Sequence, residues 1–289
     1  MTARYRPLSV SIALLGLTAI AGCGGQTTQG GSEDPDPGAG GTDVEEIDSD
    51  GADYEGPELP EGMDELRFGW AQLTDYSSRN PTNDEIEGLY VDVARDIAED
   101  IGVDIVFSES TWPTIVLGLE ADKYDFTFVG KTEERETQSD FTEDLLEADF
   151  TFAVREGETE ELPDFDALDV EGNTIGVTTG SNTDEALTPL VENAEILRVQ
   201  DVGGVLLAVQ NGQADAMAGV RDYLLASIEG YPLETVDSAW GTSVQGITVP
   251  PGNDELLEVM SYQAERLKDE GVIEDLIEKY ELIGVEASE

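Results

Sequence analysis

Apolar residues recur along this chain with two periods that alternate. Leu89, Val93, Ile97 and Ile101 stand four apart and end at Gly102, the spacing of one apolar helix face, so a helix is predicted over residues 89–101. Phe126 and Phe128 alternate with Thr127 ahead of the turn residues Gly130 and Lys131, which predicts a strand. Further strands are predicted at 65–69, 103–107, 147–154, 174–178, 214–218 and 243–250. Helices are predicted at 202–209, 221–228, through Leu256 to Leu267, and at 273–280. Thr111 caps a short helix with Pro113 in its first turn, and a further helix follows Ser181 and runs through Leu187, Leu190 and Val191. Strands alternating with helices imply an α/β fold with a parallel sheet, in which ligands bind beyond the carboxyl ends of the strands.

The first sixty residues lack this pattern. Arg4 and Arg6 precede an apolar run from Leu8 to Ala21, too short for a membrane span but suited to a signal peptide over residues 1–23. The run ends Ile20-Ala21-Gly22-Cys23-Gly24, which resembles a lipobox and predicts lipidation of Cys23; an ordinary secretory signal with an incidental cysteine is the alternative. Cys23 is the only cysteine, so no intramolecular disulfide forms. Residues 24–63, rich in Gly, Ser, Thr, Pro, Asp and Glu, read as an acidic tether. The folded body is therefore expected outside the cytoplasm, at the cell membrane.

Composition narrows the function. With 65 acidic and 14 basic residues the formal charge is -51, which excludes a nucleic-acid partner. Acidity on this scale, combined with ordered apolar periodicity, suits a surface hydrated in high salt and suggests a halophilic source. The same periodicity argues against an acidic disordered chain. There is no histidine, hence neither the usual neutral-pH base nor the commonest zinc ligand, so hydrolytic or metal catalysis is disfavoured. No cofactor, metal or catalytic residue is assigned.

Two places offer anion recognition. Arg135 follows a strand end, where its planar fork can hold a carboxylate bidentately. Equally, it can be a surface arginine neutralised by Glu133, Glu134 and Glu136. Ser181 or Asn182 can open a helix whose first amides face an anion, unless Asp184 and Glu185 satisfy those amides themselves.

Several motifs, in order, resemble the family 3 extracellular solute-binding proteins, the polar amino-acid receptors of ABC importers. They include Gly88-Leu89-Tyr90-Val91-Asp92-Val93-Ala94, Thr111-Trp112, Lys123-Tyr124-Asp125, and Thr132-Glu133-Glu134-Arg135 with Asp140-Phe141-Thr142. Thr179-Gly180-Ser181-Asn182-Thr183, Asn211-Gly212-Gln213-Ala214-Asp215-Ala216 and Gly246-Ile247-Thr248-Val249 continue the match, which spans Leu66 to Tyr280. The resemblance implies a two-lobed periplasmic-binding-protein-like (type II) fold with two hinge strands: lobe 1 from residues 64–150 and 246–289, lobe 2 from 151–245. It implies a haloarchaeal type of acidic lipoprotein, expected as a monomer that passes an amino acid or small carboxylate to an ABC permease.

By the same resemblance, Arg135 binds the ligand carboxylate together with Ser181 and Asn182, with Thr183 beside them. Trp112 and Tyr76 pack on the ligand, although Trp112 could equally be core, and Thr127 to Gly130 line the floor. Two features depart from the family pattern. The stretch from Asp125 to Arg135 is about two residues short, and Val220 stands where the family has an ammonium-binding aspartate, so either Asp222 reaches in or the ligand is not a standard α-amino acid; Asp222 can equally open a helix in solvent. The fold also hosts dehydratases and lytic-transglycosylase domains, for which Glu133 or Glu109 would have to serve as acids, and sensor domains of signalling systems.

Overall fold

The computed structural model describes residues 42–47 and 54–288. Cys23, the expected signal peptide and much of the expected tether lie outside the described residues. Strand β1 (Thr42–Glu45) precedes β2 (Glu65–Ala71), the short antiparallel pair β3 (Ser78–Arg79) and β4 (Ile86–Glu87), and helix α1 (Leu89–Ile101). Helix α1 buries Leu89, Val93, Ile97 and Ile101, the stripe that predicted it, and stops at Gly102, whose φ of 71° suits a residue without Cβ. Strand β5 (Asp104–Ser110), a 3-10 turn at Trp112–Thr114, helix α2 (Ile115–Glu120) and strand β6 (Phe126–Gly130) follow. Strand β2 pairs in parallel with both β5 and β6.

A second turn (Arg135–Thr137) and β7 (Asp140–Phe141) lead into the long strand β8 (Leu146–Arg155). The second unit holds α3 (Phe165–Leu168), β9 (Thr174–Thr178), α4 (Asn182–Leu187), β10 (Glu195–Val199), α5 (Val202–Gln210) and β11 (Ala216–Val220). Helix α6 (Arg221–Ser227), β12 (Leu233–Thr235) and the second long strand, β13 (Gly241–Val249), come next, and α7 (Asp254–Asp269), α8 (Val272–Lys279) and β14 (Val285–Ala287) end the described chain. Helix α4 is shorter than its apolar spacing predicts because Pro189, just past Thr188, has no amide N–H to continue the helical hydrogen bonds.

One 12-stranded sheet runs through both lobes. It is parallel within each wing, β9 pairing with β10 and β11, but antiparallel at its centre, where β13 pairs with β6 and β8, and β8 with β11. The expected parallel sheet is thus interrupted where the chain crosses between lobes and returns. Each lobe has its own core: Phe68, Phe107, Phe126 and Phe128 with α1 and α7 in the first, and Phe152, Val177, Val205 and Met217 among others in the second.

Strand β1 lies inside the stretch read as tether. It pairs antiparallel with β5 at the sheet edge, Arg95 grips Glu45 at 2.5 Å, Arg79 grips Asp43 at 2.7 Å, and the Ile47 amide donates to Asp104 Oδ1. Composition concealed this strand because its anchors are acidic residues whose arginine partners are distant in sequence.

Tyr124 is buried between Gly69 and Gly118, and its hydroxyl donates to the Ile115 carbonyl. A Cβ at Gly118 would enter the Tyr124 ring. Helix propensity favours alanine over glycine by roughly 1 kcal/mol, but overpacking a fixed aromatic costs roughly 1–3 kcal/mol. Gly118→Ala is therefore expected to destabilise the fold by about 1 kcal/mol in chemical denaturation; a gain in stability would mean that the ring can move aside.

Candidate functional site

Beyond the carboxyl ends of β6, β9 and β11, the two lobes enclose a cavity of about 60 Å³, measured as the space open to the centre of a water-sized sphere. Widened by one water radius, that is room on the order of 200 Å³, the scale of an amino acid. The first lobe contributes Tyr76, Tyr90, Trp112, Phe128 and Gly130 to its wall. Tyr90 stacks on Phe128 with centroids 4.9 Å apart, and the Tyr76 ring, tilted by 48°, also lies 4.9 Å from Tyr90. The second lobe contributes Thr178, Ser181, Asn182 and Thr183 from the β9–α4 junction, Met217 to Val220 from β11, and Tyr223 from α6. Gln245 of β13 completes the wall.

Eight of the residues expected from the sequence to line the site meet here: Tyr76, Trp112, Phe128, Val129, Gly130, Ser181, Asn182 and Thr183. Trp112 also packs against the cluster around Ile115 and Tyr124, so it serves cavity and core together. Thr127 does not reach the cavity. Its hydroxyl donates to the Gly69 carbonyl at 2.7 Å, while the three residues that follow it on β6, Phe128, Val129 and Gly130, line the cavity. Tyr90, Tyr223 and Gln245 were missed, since no motif or spacing in the sequence set them apart.

Arg135 is 3% exposed and does not line the cavity. Glu133, Glu134 and Glu136 are exposed, and the partner is instead Glu185 of α4, across the lobe boundary. Nε lies 3.1 Å from Glu185 Oε2, and Nη2 donates to Oε1 at 3.3 Å. Nη1 donates to the Gly130 carbonyl and Nη2 also to the Gly180 carbonyl, each at 3.1 Å. Thr132 Oγ1 donates to Glu185 Oε2 at 2.7 Å. Burial lowers the guanidinium pKa, and Glu185 opposes that shift.

The start of α4 is likewise occupied by its own side chains. Ser181 Oγ accepts from the Asp184 amide, Asn182 Oδ1 from the Thr183 amide, and Asp184 Oδ2 from the Gly180 amide. Arg198 holds Asp184 at 2.9 Å.

Asp222, 7% exposed in the first turn of α6, sits behind the wall beside Tyr76. Burial raises its pKa to about 6, and Asp75 adds to the rise; the amides of Tyr223 and Asp222 and the nearby Tyr76 hydroxyl oppose it. Asp222 Oδ1 and the Tyr76 hydroxyl are nevertheless buried without a well-formed hydrogen bond, as is Gln245 Oε1.

Two glycines allow the lobes to meet. A Cβ on Gly130 would fall within 3.0 Å of Asn182 Cβ and closer still to its amide nitrogen. At Gly180, with φ 70°, a Cβ would lie 3.2 Å from Pro113 Cα. Asn182 Nδ2 donates to Ser243 Oγ of β13 at 2.7 Å.

Residues 66–283 match the profile of the Bacterial extracellular solute-binding proteins, family 3. The chain belongs to that family. The glutamine-binding protein GlnH of an ABC transporter of Bacillus subtilis (strain 168) is 24% identical to this family 3 protein, covering 71% of this chain and 76% of that one. Two solved structures share the fold. The ancestral amino acid-binding protein AncCDT-1, a precursor of cyclohexadienyl dehydratase, has a TM-score of 0.67 at 23% identity over 75% of this chain and 95% of its own. A histidine kinase sensor domain similar to periplasmic binding proteins has a TM-score of 0.69 at 19% identity over 77% and 97%. The two-lobed α/β architecture of family 3 is thus established, and with it membership among amino-acid-binding homologues that work outside the cytoplasm.

Two expectations follow for this family 3 protein. Gly130→Ala wedges Asn182 away from β6, so small-angle scattering should show a larger radius of gyration than for the unsubstituted chain; identical curves would mean that Asn182 yields without moving its lobe. Asp222 binds its proton more tightly folded than unfolded, so its favourable contribution is complete below about pH 4 and is lost as pH rises through about 6. Asp222→Asn should therefore be more stable than the parent at pH 7.5, by up to about 3 kcal/mol, and level with it near pH 4. Paired urea titrations at the two pH values decide this, and a variant no more stable at pH 7.5 refutes the burial argument.

Proposed function

We propose that this protein is the extracellular solute-binding component of an ABC importer for an amino acid or related small solute, tethered by a lipid on Cys23 and adapted to a saline medium. The observation that carries the reading is the amino-acid-sized cavity walled by both lobes and bridged by Arg135 and Glu185. A solute held there touches both lobes, so its binding favours the closed arrangement, and a permease can recognise that arrangement. The glutamine-binding relative supports the transport role, and the apolar run ending in Ala21-Gly22-Cys23 supports the anchor. The placement of acids supports binding over turnover. Glu133 and Glu109 are exposed and off the cavity wall, and Glu109 stands 3.9 Å from Arg79.

The direct test is to purify the full chain without a refolding step, denature it, and analyse the released small molecules by mass spectrometry. One amino-acid-sized solute per chain, recovered unaltered, is expected. Chemical conversion of that solute during prolonged incubation would instead favour an enzyme on the same fold.

A further inference from the structure

Taking the cavity as the solute site proposed above, we propose that it selects an organic amine: a cation with a compact apolar body and no carboxylate, with Glu185 filling the anion receptor that Arg135 would otherwise present.

An α-amino acid brings one anionic and one cationic end. For the anionic end, no lysine or arginine is on the cavity wall among the described residues. Arg135 lies closest to that task, but its Nε and Nη2 hold Glu185, and Nη1 and Nη2 hold the Gly130 and Gly180 carbonyls. Thr132 ties the same glutamate a third time. A ligand carboxylate would have to displace Glu185 into a part-buried, acid-rich setting, and a carboxylate stripped of its cation there is costly. At the start of α4, the amides of Thr183 and Asp184, and that of Gly180 just before it, are already taken by Asn182, Ser181 and Asp184.

The unpaired group on the cavity wall points to the opposite charge. Gln245 is 5% exposed, lies on the wall, and has an Oε1 with no donor. Asp222 Oδ1 lies off the wall beside the Tyr76 hydroxyl, its nearest donor, so Gln245 is the unpaired acceptor that faces the cavity. Buried acceptors left empty are unusual in native proteins and are satisfied by a ligand that brings N–H groups. The rings of Tyr76, Tyr90, Trp112, Phe128 and Tyr223 offer apolar contact to a compact body. Val220, also on the wall, adds apolar surface and no charge.

Matched compounds test this whatever the natural solute is. Phenethylamine, phenylalanine and 3-phenylpropionate share one body, and isoamylamine, leucine and 4-methylpentanoate share another. Thermal unfolding of the full chain with each, at equal ionic strength, should show a rise of roughly 5 °C with a saturating amine of at least one series and none with its amino acid or acid. Glu185→Gln frees the Arg135 fork and should then gain a response to the amino acid and the acid. The proposal is overturned if the wild type responds to an amino acid or acid as well as to the amine, or to no member of either series, or if folded Glu185→Gln keeps the wild-type profile. Should Glu185→Gln fail to fold, the wild-type series decides alone. A response to the amino acids would remove the amine but leave the cavity as a solute site, whereas a chain that releases no solute on denaturation and responds to nothing would remove both.

Discussion

The antiparallel ladder between β8 and β13 is the joint from which both lobes hang. Phe150 stands opposite Gly241 and Leu146 opposite Gln245, while β13 continues into pairing with β6 and β8 into pairing with β11. Backbone hydrogen bonds therefore run without a break from one lobe to the other, so the lobes can rotate about this ladder but cannot part. The same ladder places the cavity, since Gln245 sits on β13 and Val220, at the end of β11, pairs with Phe150 of β8. Residues far apart in the chain converge because two strands carry the sheet across the cleft.

A shortage of cations shapes everything laid on this frame. All eight arginines among the described residues stand in ion pairs, several with more than one carboxylate: Arg67 with Asp122 and Asp125, and Arg266 with Asp96, Asp100 and Glu270. Where such pairs face water each contributes little, and their value lies in placing charge. The Arg135–Glu185 pair differs, because the arginine side chain is 4% exposed and the glutamate 21%, so removing either partner strands the other in a poorly hydrated place. An arginine spent in this way is structural before it is a receptor.

The helix at 89–101 was legible because four apolar residues at spacing four need no information from the rest of the chain. Arg135 was legible as a residue of consequence, and Tyr76, Trp112, Gly130 and the Ser181 to Thr183 segment as neighbours of a cleft, because motif order carries lobe geometry with it. What stayed hidden depends on encounters across the fold. Glu185 finds Arg135 fifty positions away, and nothing near either residue distinguishes that glutamate from the many others. Strand β1 was hidden in the same way, its acidic side chains reading as solvated tether until Arg79 and Arg95 meet them. Tyr90 looks like core from sequence, and it is core on one side and wall on the other.

Gly130 and Gly180 bear on what a docking partner would encounter. The lobes meet there in close approach with no side chain to spare, the Gly130 backbone against Asn182 and the Gly180 backbone against Pro113, where a single added Cβ would clash or crowd. Attraction to a bound molecule is a soft restraint whose equilibrium position varies with that molecule, whereas steric contact rises steeply over a few tenths of an ångström. A mechanical stop of this kind gives closure one end point whatever fills the space behind it. The outer surface then presents a single shape that is independent of cargo.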